Sequence, residues 1–241
     1  MVNTTRRKQI IMYIYETHVH TSPVSLCASA TVRQTVEFYK NAGYSGLFIT
    51  NHFIDGNIGT DRSLPEAQKL DFYYSDYYEA RAIGEEIGID VFLGIEMTYG
   101  GTDFLVYGIP PEFFKENPGF VEKRKSEQLK ILIDEGALVV QAHPFREASY
   151  IDHIRLFPRH VHAVEVINAN RTDFENKMAS LYAEYYSLLT FAGSDNHVGE
   201  NQKVLAGLSF DTKIKDEKHF VELVKLGKHS IFRNMREETC K

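Results

Sequence analysis

The sequence predicts an α/β protein built as a (β/α) barrel of about seven units, in a single domain over residues 1–241. Three observations lead to this prediction. Short apolar runs alternate with helical patterns along the chain, which favours parallel strands joined by right-handed crossovers. The hairpin signal Tyr99-Gly100-Gly101 interrupts the alternation and favours an irregular barrel. Residues of metal-ligand type follow the apolar runs, as functional residues do at the carboxyl ends of barrel strands.

The first half of the chain contains four predicted strands and two predicted helices. The strands cover residues 10–15, 46–50, 90–95 and 104–109. Thr31 and Gln34 have the spacing of a capping box, so the first helix begins there, and Gly43 supplies the residue that ends it. The second helix begins in the Ser-Leu-Pro-Glu stretch, whose proline suits a first helical turn, and is predicted to run to Gly88.

The second half continues the alternation of helices and strands. Predicted helices cover residues 117–135, 173–187 and 215–226, and predicted strands cover residues 137–141, 163–167, 189–192 and 230–232. Gly136 and Gly227 follow two of these helices, at the position where a left-handed residue commonly ends a helix. Because the predicted strands are parallel, their carboxyl ends should meet on one face of the barrel.

Composition and charge exclude several classes of protein. The chain is 43% hydrophobic and 25% charged, which is ordinary for a globular protein, and its net charge of −6 argues against a dedicated nucleic-acid binder. No apolar run approaches the ~20 residues that cross a bilayer. The basic N-terminus lacks the apolar stretch of a signal peptide, so we expect no membrane partner and a cytoplasmic location. Two cysteines, Cys27 and Cys240, do not make a disulfide framework.

The histidine pair His18-x-His20 is the most specific local sign of a metal site. In a strand, residues i and i+2 point to the same face, so two neutral imidazoles there can bind one transition metal. Imidazole and carboxylate groups together suit Zn, Mn or Fe, and the sequence leaves the choice among them open. Further residues of ligand type follow other apolar runs: His52, Glu96, His143, Asp195 and His197.

Two arginines are candidates for binding an anionic substrate. Arg146 lies three residues after His143, and a guanidinium presents a planar fork that matches phosphate oxygens. Arg171 is the second candidate. Both fit a small phosphorylated molecule as the binding partner.

Two further predictions concern residues outside this set. The pair His160-x-His162 precedes its strand instead of following it, so it should lie at the opposite end of the barrel and be structural or solvated. Glu165 lies within a strand and is predicted to orient a ligand histidine, because metal-binding imidazoles commonly donate their second N–H to a carboxylate.

Five motifs, taken together and in order, resemble those of the PHP family, the polymerase and histidinol phosphatase superfamily of metal-dependent phosphoesterases. They extend over nearly the whole chain: His18-x-His20, Ile49-Thr50-Asn51-His52, Gly94-x-Glu96, Ala142-His143-Pro144 and Gly193-Ser194-Asp195-x-His197. The resemblance implies a distorted (β/α)7 TIM-like barrel with two to three divalent metals at the carboxyl ends of its strands.

The resemblance also implies a set of ligands for each metal. By position, they are His18, His20, Glu96 and Asp195 for the first metal, Glu96 as a bridge with His143 for the second, and His52 with His197 for the third. The chain departs from the family at three places. Asn51 replaces an aspartate, and Asp103 replaces a histidine and becomes the expected third ligand of the second metal. Cys27 is a possible further ligand of the third metal.

The resemblance and the chemistry of these residues lead to one expected function. It is a metal-dependent phosphoesterase that hydrolyses a small phosphate monoester by a metal-bridging hydroxide. Glu96, His143, Asp195 and Arg146 are the expected catalytic residues, and no Ser or Cys nucleophile is needed. Three alternatives remain open: a histidinol-phosphate phosphatase, a PHP-type nuclease and a catalytically inactive PHP metal-binding module. The sequence leaves the oligomeric state undetermined.

Overall fold

Nine β-strands form one sheet in residues 12–235, the part of the chain that the computed structural model describes. The order across the sheet is β7-β6-β5-β4-β3-β2-β1-β8-β9. The strands are β1 (Tyr13–Val19), β2 (Gly46–Ile49), β3 (Asp90–Tyr99), β4 (Thr102–Tyr107), β5 (Leu138–Ala142), β6 (Ala163–Asn168), β7 (Leu189–Gly193), β8 (Val204–Phe210) and β9 (Ser230–Met235).

The strand directions make this sheet a nearly closed, irregular barrel. Strands β1, β2 and β3 are parallel, as are β5, β6 and β7, whereas β4 runs antiparallel to both of its neighbours. The end of β7 returns to β1 through a parallel bridge between Val19 and Asn196. This confirms the predicted α/β barrel class and the hairpin at Gly100-Gly101. Because β4 is reversed, its first residues lie beside the carboxyl end of β3.

Six α-helices connect the strands in residues 12–235. They are α1 (Val32–Asn41), α2 (Glu66–Ile87), α3 (Pro111–Glu116), α4 (Lys125–Asp134), α5 (Asp173–Tyr185) and α6 (Glu217–Lys225). The predicted capping box is confirmed: the Thr31 hydroxyl accepts from the Gln34 amide, and the Gln34 side chain accepts from the Thr31 amide. None of these helices combines the length and apolar character that crossing a membrane requires.

The structure corrects the prediction at two elements and adds a third. Residues 117–135 are not one helix, because Gly119 adopts φ 74° and separates a 3-10 turn and α4 from α3. Strand β1 continues to Val19 and contains His18, while the start of the predicted strand, residues 10–11, lies outside the described residues. Strand β8 has no counterpart in the prediction. Its small residues make it a weak candidate for a strand in the sequence. One of them is needed for the pairing with β1, because a Cβ on Gly207 would lie 2.2 Å from the Tyr15 carbonyl oxygen.

Aromatic side chains pack together in the barrel interior. Phe220 of α6 lies 4.3 Å from Phe48 and 5.2 Å from Tyr107 between ring centroids. The Tyr107 hydroxyl donates to the Thr17 carbonyl at 2.6 Å, which is where the apolar interior meets the polar residues at the end of β1. A second apolar layer packs α1, α2 and α4 against the outside of the sheet.

Candidate metal centre

Three strands bring four polar side chains to one point inside the barrel mouth. His18 is in β1 and His20 follows it, Glu96 lies in β3, and Asp195 follows β7. All four are buried, with at most 5% of each residue exposed. The prediction that the candidates follow their strands is therefore wrong for His18 and Glu96, which lie within β1 and β3. The strands extend past the apolar runs into the site itself.

The two imidazoles lie at metal-ligand spacing from both carboxylates. The Nε2 atom of His18 lies 3.2 Å from Glu96 Oε1, 3.5 Å from Asp195 Oδ1 and 3.2 Å from His20 Nε2. His20 Nε2 lies 3.4 Å from both Glu96 Oε2 and Asp195 Oδ1. Ligands about 2.05 Å from one ion at tetrahedral corners would lie about 3.3 Å apart, which the distances from the two imidazoles to each carboxylate approach. His18, His20 and Glu96 are close enough together to hold one ion, and so are His18, His143 and Asp195.

A second group of possible ligands shares Glu96. His143 Nε2 lies 3.3 Å from Glu96 Oε1 and 3.9 Å from Asp103 Oδ2. The three side chains are close enough to hold one ion, as the sequence predicts. Asp103 also has another partner, because its Oδ2 atom lies 3.1 Å from Nη2 of Arg146. Arg146 thus neutralises a carboxylate at the edge of the site as well as facing the pocket.

A third group of possible ligands consists of His20, His52 and His197. The His20 and His197 rings are stacked with centroids 4.2 Å apart, and His52 Nδ1 lies 2.7 Å from Glu96 Oε2. Cys27 is exposed beside this group. Although partial burial opposes ionisation, hydrogen bonds to His197 and His52 lower the pKa of the Cys27 thiol to about 6. A thiolate is the form of cysteine that binds metals.

Two candidate ligands adopt left-handed backbone conformations. The φ angle is 24° at His143 and 53° at Asp195, and Ser187 is the only other non-glycine residue with positive φ in residues 12–235. Such conformations cost on the order of 1–3 kcal/mol for a non-glycine residue and persist where the surroundings enforce them. At Asp195, Asn168 donates to the carboxylate at 3.2 Å and Asn170 donates to the backbone carbonyl. Two candidate ligands thus sit at strained positions.

Hydrogen bonds to Nδ1 orient three of the imidazoles. His18 Nδ1 lies 2.9 Å from the Glu165 carboxylate, and His197 Nδ1 lies 2.8 Å from the Asp195 carbonyl. Since these acceptors require a protonated Nδ1, Nε2 is the atom of both rings that is left to act as a metal ligand. His20 Nδ1 contacts the Ser25 hydroxyl at 3.1 Å. The prediction that Glu165 orients a histidine agrees with this geometry.

The charges at the centre favour bound cations. Despite complete burial, which opposes ionisation, the histidines keep the pKa values of Glu96 and Asp195 well below their usual range. Burial lowers the pKa of His20, and His197 and His52 lower it further. Glu96 Oε2 and His52 Nδ1 are buried and lie 2.7 Å apart, yet they form no well-aligned hydrogen bond. A buried cluster of imidazoles and carboxylates fits divalent metals.

A pocket of about 700 Å³ opens beside these groups. It is lined by Glu96, Asp103, His143, Asp195 and residues at its rim, including Arg146 and Arg171. Two guanidinium groups among the lining residues make the pocket suitable for an anion.

The structure separates the other singled-out residues from this centre. His162 Nδ1 accepts from the Val139 amide at 3.2 Å, near the start of β5, so this second histidine pair lies at the opposite end of the barrel, as predicted. The Asn51 side chain faces away from the candidate ligands. It accepts from the Thr21 amide and the Ser25 hydroxyl and donates to Asp76.

Sequence reasoning missed Ser25 and Asn170, which support the site through side-chain contacts. Ser25 links Asn51 to the ring of His20, and Asn170 binds the backbone of Asp195. No spacing rule identifies a serine five residues after a histidine as its partner. Only the fold of the loop after β1 brings the two together.

Comparison with known proteins supports the same fold. No family model matches this chain, and no curated protein matches it. Among solved structures, a two-domain protein from Bacteroides vulgatus, described as containing a predicted PHP-like metal-dependent phosphoesterase, aligns with a TM-score of 0.64 and 15% identity. The alignment covers 94% of this chain and 68% of that protein.

Two other solved structures are similar. PsfC from Pseudomonas syringae aligns with a TM-score of 0.63 and 20% identity, over 94% of this chain and 93% of its own. A Bifidobacterium adolescentis protein, provisionally named a metal-dependent phosphoesterase, aligns with a TM-score of 0.55 and 15% identity, over 90% and 98% of the two chains. At these identities the likeness establishes the fold.

Proposed function

We propose that this protein, which shares its barrel with PHP-like structures, is a metal-dependent phosphoesterase that hydrolyses a small phosphate monoester. The observation that carries the proposal is the buried cluster of His18, His20, Glu96 and Asp195, in which both imidazoles lie 3.2–3.5 Å from both carboxylates. They lie beside a pocket that contains two arginines. Metal ligands and anion-binding groups in one cleft fit phosphate chemistry better than either feature alone.

The proposed ligands fall into three overlapping groups. His18, His20, Glu96 and Asp195 would hold the first ion, Glu96, Asp103 and His143 the second, and His52, His197 and Cys27 the third. The first group has four buried ligands and the third has the most exposed ones. We therefore propose that the first two ions are held firmly and that the third is held weakly.

The bound ions would supply Lewis acidity and a water of lowered pKa. The remaining tasks belong to side chains of this chain. Arg146 offers a planar fork to phosphate oxygens, and its pairing with Asp103 holds the guanidinium at the pocket wall. Arg171 offers a second cation on the same wall. Glu165 keeps the proton of His18 on Nδ1, so Nε2 stays available as a ligand atom.

The test is metal-dependent release of p-nitrophenol from p-nitrophenyl phosphate. Exhaustive chelation should abolish activity, and Mn²⁺ or Zn²⁺ should restore it. Asp195→Asn should abolish the restored activity, whereas Asp134→Asn, at an exposed helical carboxylate, should not change it. Full turnover by metal-free protein, or by Asp195→Asn, would refute the proposal.

A comparison of mono- and diesters tests the substrate class. Bis-p-nitrophenyl phosphate has one negative charge and a second bulky group, whereas the monoester offers more anionic oxygens to Arg146 and Arg171. We expect the monoester to be hydrolysed at least tenfold faster. Faster hydrolysis of the diester would favour a nuclease-like activity.

A further inference from the structure

Helix α5 carries a row of large apolar side chains along its outer face. The row consists of Phe174, Met178, Leu181 and Tyr185. Phe174 is 65% exposed, Leu181 49% and Tyr185 82%, whereas Met178 between them is partly buried. Tyr186 extends the row, with its ring 5.0 Å from that of Tyr185. Large apolar side chains exposed side by side commonly mark a surface that contacts another protein.

The opposite face of α5 already packs against the protein. Ala179, Tyr182 and Ala183 form a buried cluster with Val164 and Val166 of β6. The helix is therefore apolar on two faces, only one of which is covered by packing within residues 12–235. Tertiary packing within residues 12–235 does not account for the outer row.

The spacing of the outer row is typical of helix pairing. Successive members are separated by four, three and four residues, which is the a/d repeat of a helix that packs along a partner helix. Four members over twelve positions make a contact about three turns long. A straight helix with the same repeat is the natural partner for such a row.

We propose that α5 is a homodimer interface, in which the α5 helices of two copies of this chain pack antiparallel about a two-fold axis. In this arrangement Met178 lies opposite Leu181 of the second copy, and Phe174 lies opposite Tyr185 of the second copy. Each side chain of the row thus packs against a residue of another type in the second copy. A two-fold axis makes both halves of the contact identical, as in most homodimers.

The charges beside the row favour a second copy as the partner. Lys177 and Glu184 both flank it on one side, seven residues apart. Neither side chain has an ion-pair partner among residues 12–235. Antiparallel packing places Lys177 beside Glu184 of the second copy, and the axis creates the same pair twice. Parallel packing does not bring these two side chains together, because positions on the same flank of the two helices then lie on opposite sides of the contact.

The area is sufficient for a weak, specific dimer. If a large side chain has about 200 Å² of surface, the exposed fractions of Phe174, Leu181, Tyr185 and Tyr186 amount to roughly 500 Å² per copy. Two copies would bury roughly 1,000 Å², near the lower limit of specific interfaces. We therefore expect a dimer that dissociates on dilution in the micromolar range.

Sedimentation velocity of the full chain from about 1 to 100 µM tests the proposal. Wild-type protein should shift from the mass of one chain to that of two. Leu181→Glu should raise the dissociation constant at least tenfold, whereas Tyr78→Glu, at a tyrosine of α2 that is 49% exposed, should leave it unchanged. Circular dichroism checks that both variants are folded. A wild-type monomer at every concentration would overturn the proposal.

Exchange of the two charges tests the antiparallel geometry. Lys177→Glu should weaken the dimer because it places two glutamates together. The double variant Lys177→Glu with Glu184→Lys should restore it, since the pairs reform with reversed polarity. Failure of the double variant to restore the dimer, or a dimer that survives Leu181→Glu, would show that α5 does not pair in this way.

Discussion

Glu165→Gln is the most informative single change, because it alters one buried carboxylate that orients two candidate ligands. Glu165 is fully buried, and its Oε1 atom accepts from His18 Nδ1 at 2.9 Å. Its Oε2 atom accepts from the His143 amide and from Asn168 Nδ2, both at 2.9 Å. Glutamine keeps the volume but replaces one acceptor oxygen by an NH2 donor. We expect weaker metal binding with little change in the fold.

The expected loss of metal affinity follows from the two orientations that the amide of the new glutamine can take. With NH2 toward His18, the ring must carry its proton on Nε2, which removes a ligand atom from the first metal position. With NH2 toward His143, the backbone amide of that residue loses its acceptor. Gly193 packs against this site, since a Cβ there would lie 2.9 Å from Glu165 Oε1. The amide therefore has little room to turn aside.

Either orientation leaves a buried donor unsatisfied, at a cost of about 1–3 kcal/mol. That range corresponds to a ten- to hundredfold loss of metal affinity, which is typical when the partner of a ligand histidine is removed. Calorimetric titration of metal-free protein with Zn²⁺ or Mn²⁺ measures the affinity. Thermal unfolding of the metal-free protein measures the stability separately.

Glu16→Gln is the matched control. Glu16 is also fully buried, but its Oε1 atom alone accepts from the amides of Thr17, His18 and Ser194. A glutamine oxygen can keep all three bonds, and no imidazole depends on the side chain. Metal affinity should therefore remain within about twofold of wild type. An unchanged affinity in Glu165→Gln, or an equal loss in Glu16→Gln, would refute the reasoning.

Four further predictions follow from the site and its surroundings. His143→Ala should abolish phosphatase activity, whereas His160→Ala, at the far end of the barrel, should retain it; an equal loss would place the site elsewhere. Arg146→Ala should lower kcat/KM roughly ten- to a hundredfold with metal content unchanged, because a charge-assisted contact to phosphate is worth about 1.5–3 kcal/mol; wild-type kinetics would contradict this. Elemental analysis should find two firmly bound metals and a weaker third, and Cys27→Ser should reduce only the third; three ions that survive mild chelation in Cys27→Ser would contradict the assignment. Burial and the charge of Lys225 lower the pKa of His162 to about 4 in the folded protein. The unfolded chain therefore binds this proton first, and stability falls as pH drops from about 6.5 to 4, by roughly 1–3 kcal/mol after allowance for partial exposure. His162→Asn should reduce that fall in urea unfolding at pH 7 and 5, and an identical pH dependence would refute it.

The sequence by itself predicted the architecture, because the signals involved are local. Apolar runs, the Thr31 capping box and the turn at Gly100-Gly101 depend on neighbours in the chain, and the structure agrees with each. The same local signals gave wrong predictions at two places. The weak β signal of β8 concealed a strand, and the break at Gly119 was not recognised within a helical pattern.

The sequence also identified the residues that meet at the centre. Strand order and side-chain chemistry leave few residues that could be metal ligands there. In a barrel, residues at the carboxyl ends of parallel strands converge, so His18, His143 and Asp195 could be grouped although they lie far apart in the chain. Strand β4 is antiparallel to β3, so Asp103 at its start lies beside the carboxyl end of β3. Their roles as ligands remain predictions.

Only the tertiary structure decided the distances between these residues and the contacts that hold them in place. The donor spacing of 3.2–3.5 Å, the pairing of Arg146 with Asp103, and the contacts of Ser25 and Asn170 join segments that no spacing rule relates. Such contacts depend on side-chain directions and on backbone angles such as φ 53° at Asp195. Residue type and strand order predict which groups meet, whereas their distances and hydrogen-bond partners arise only when the whole barrel closes around them.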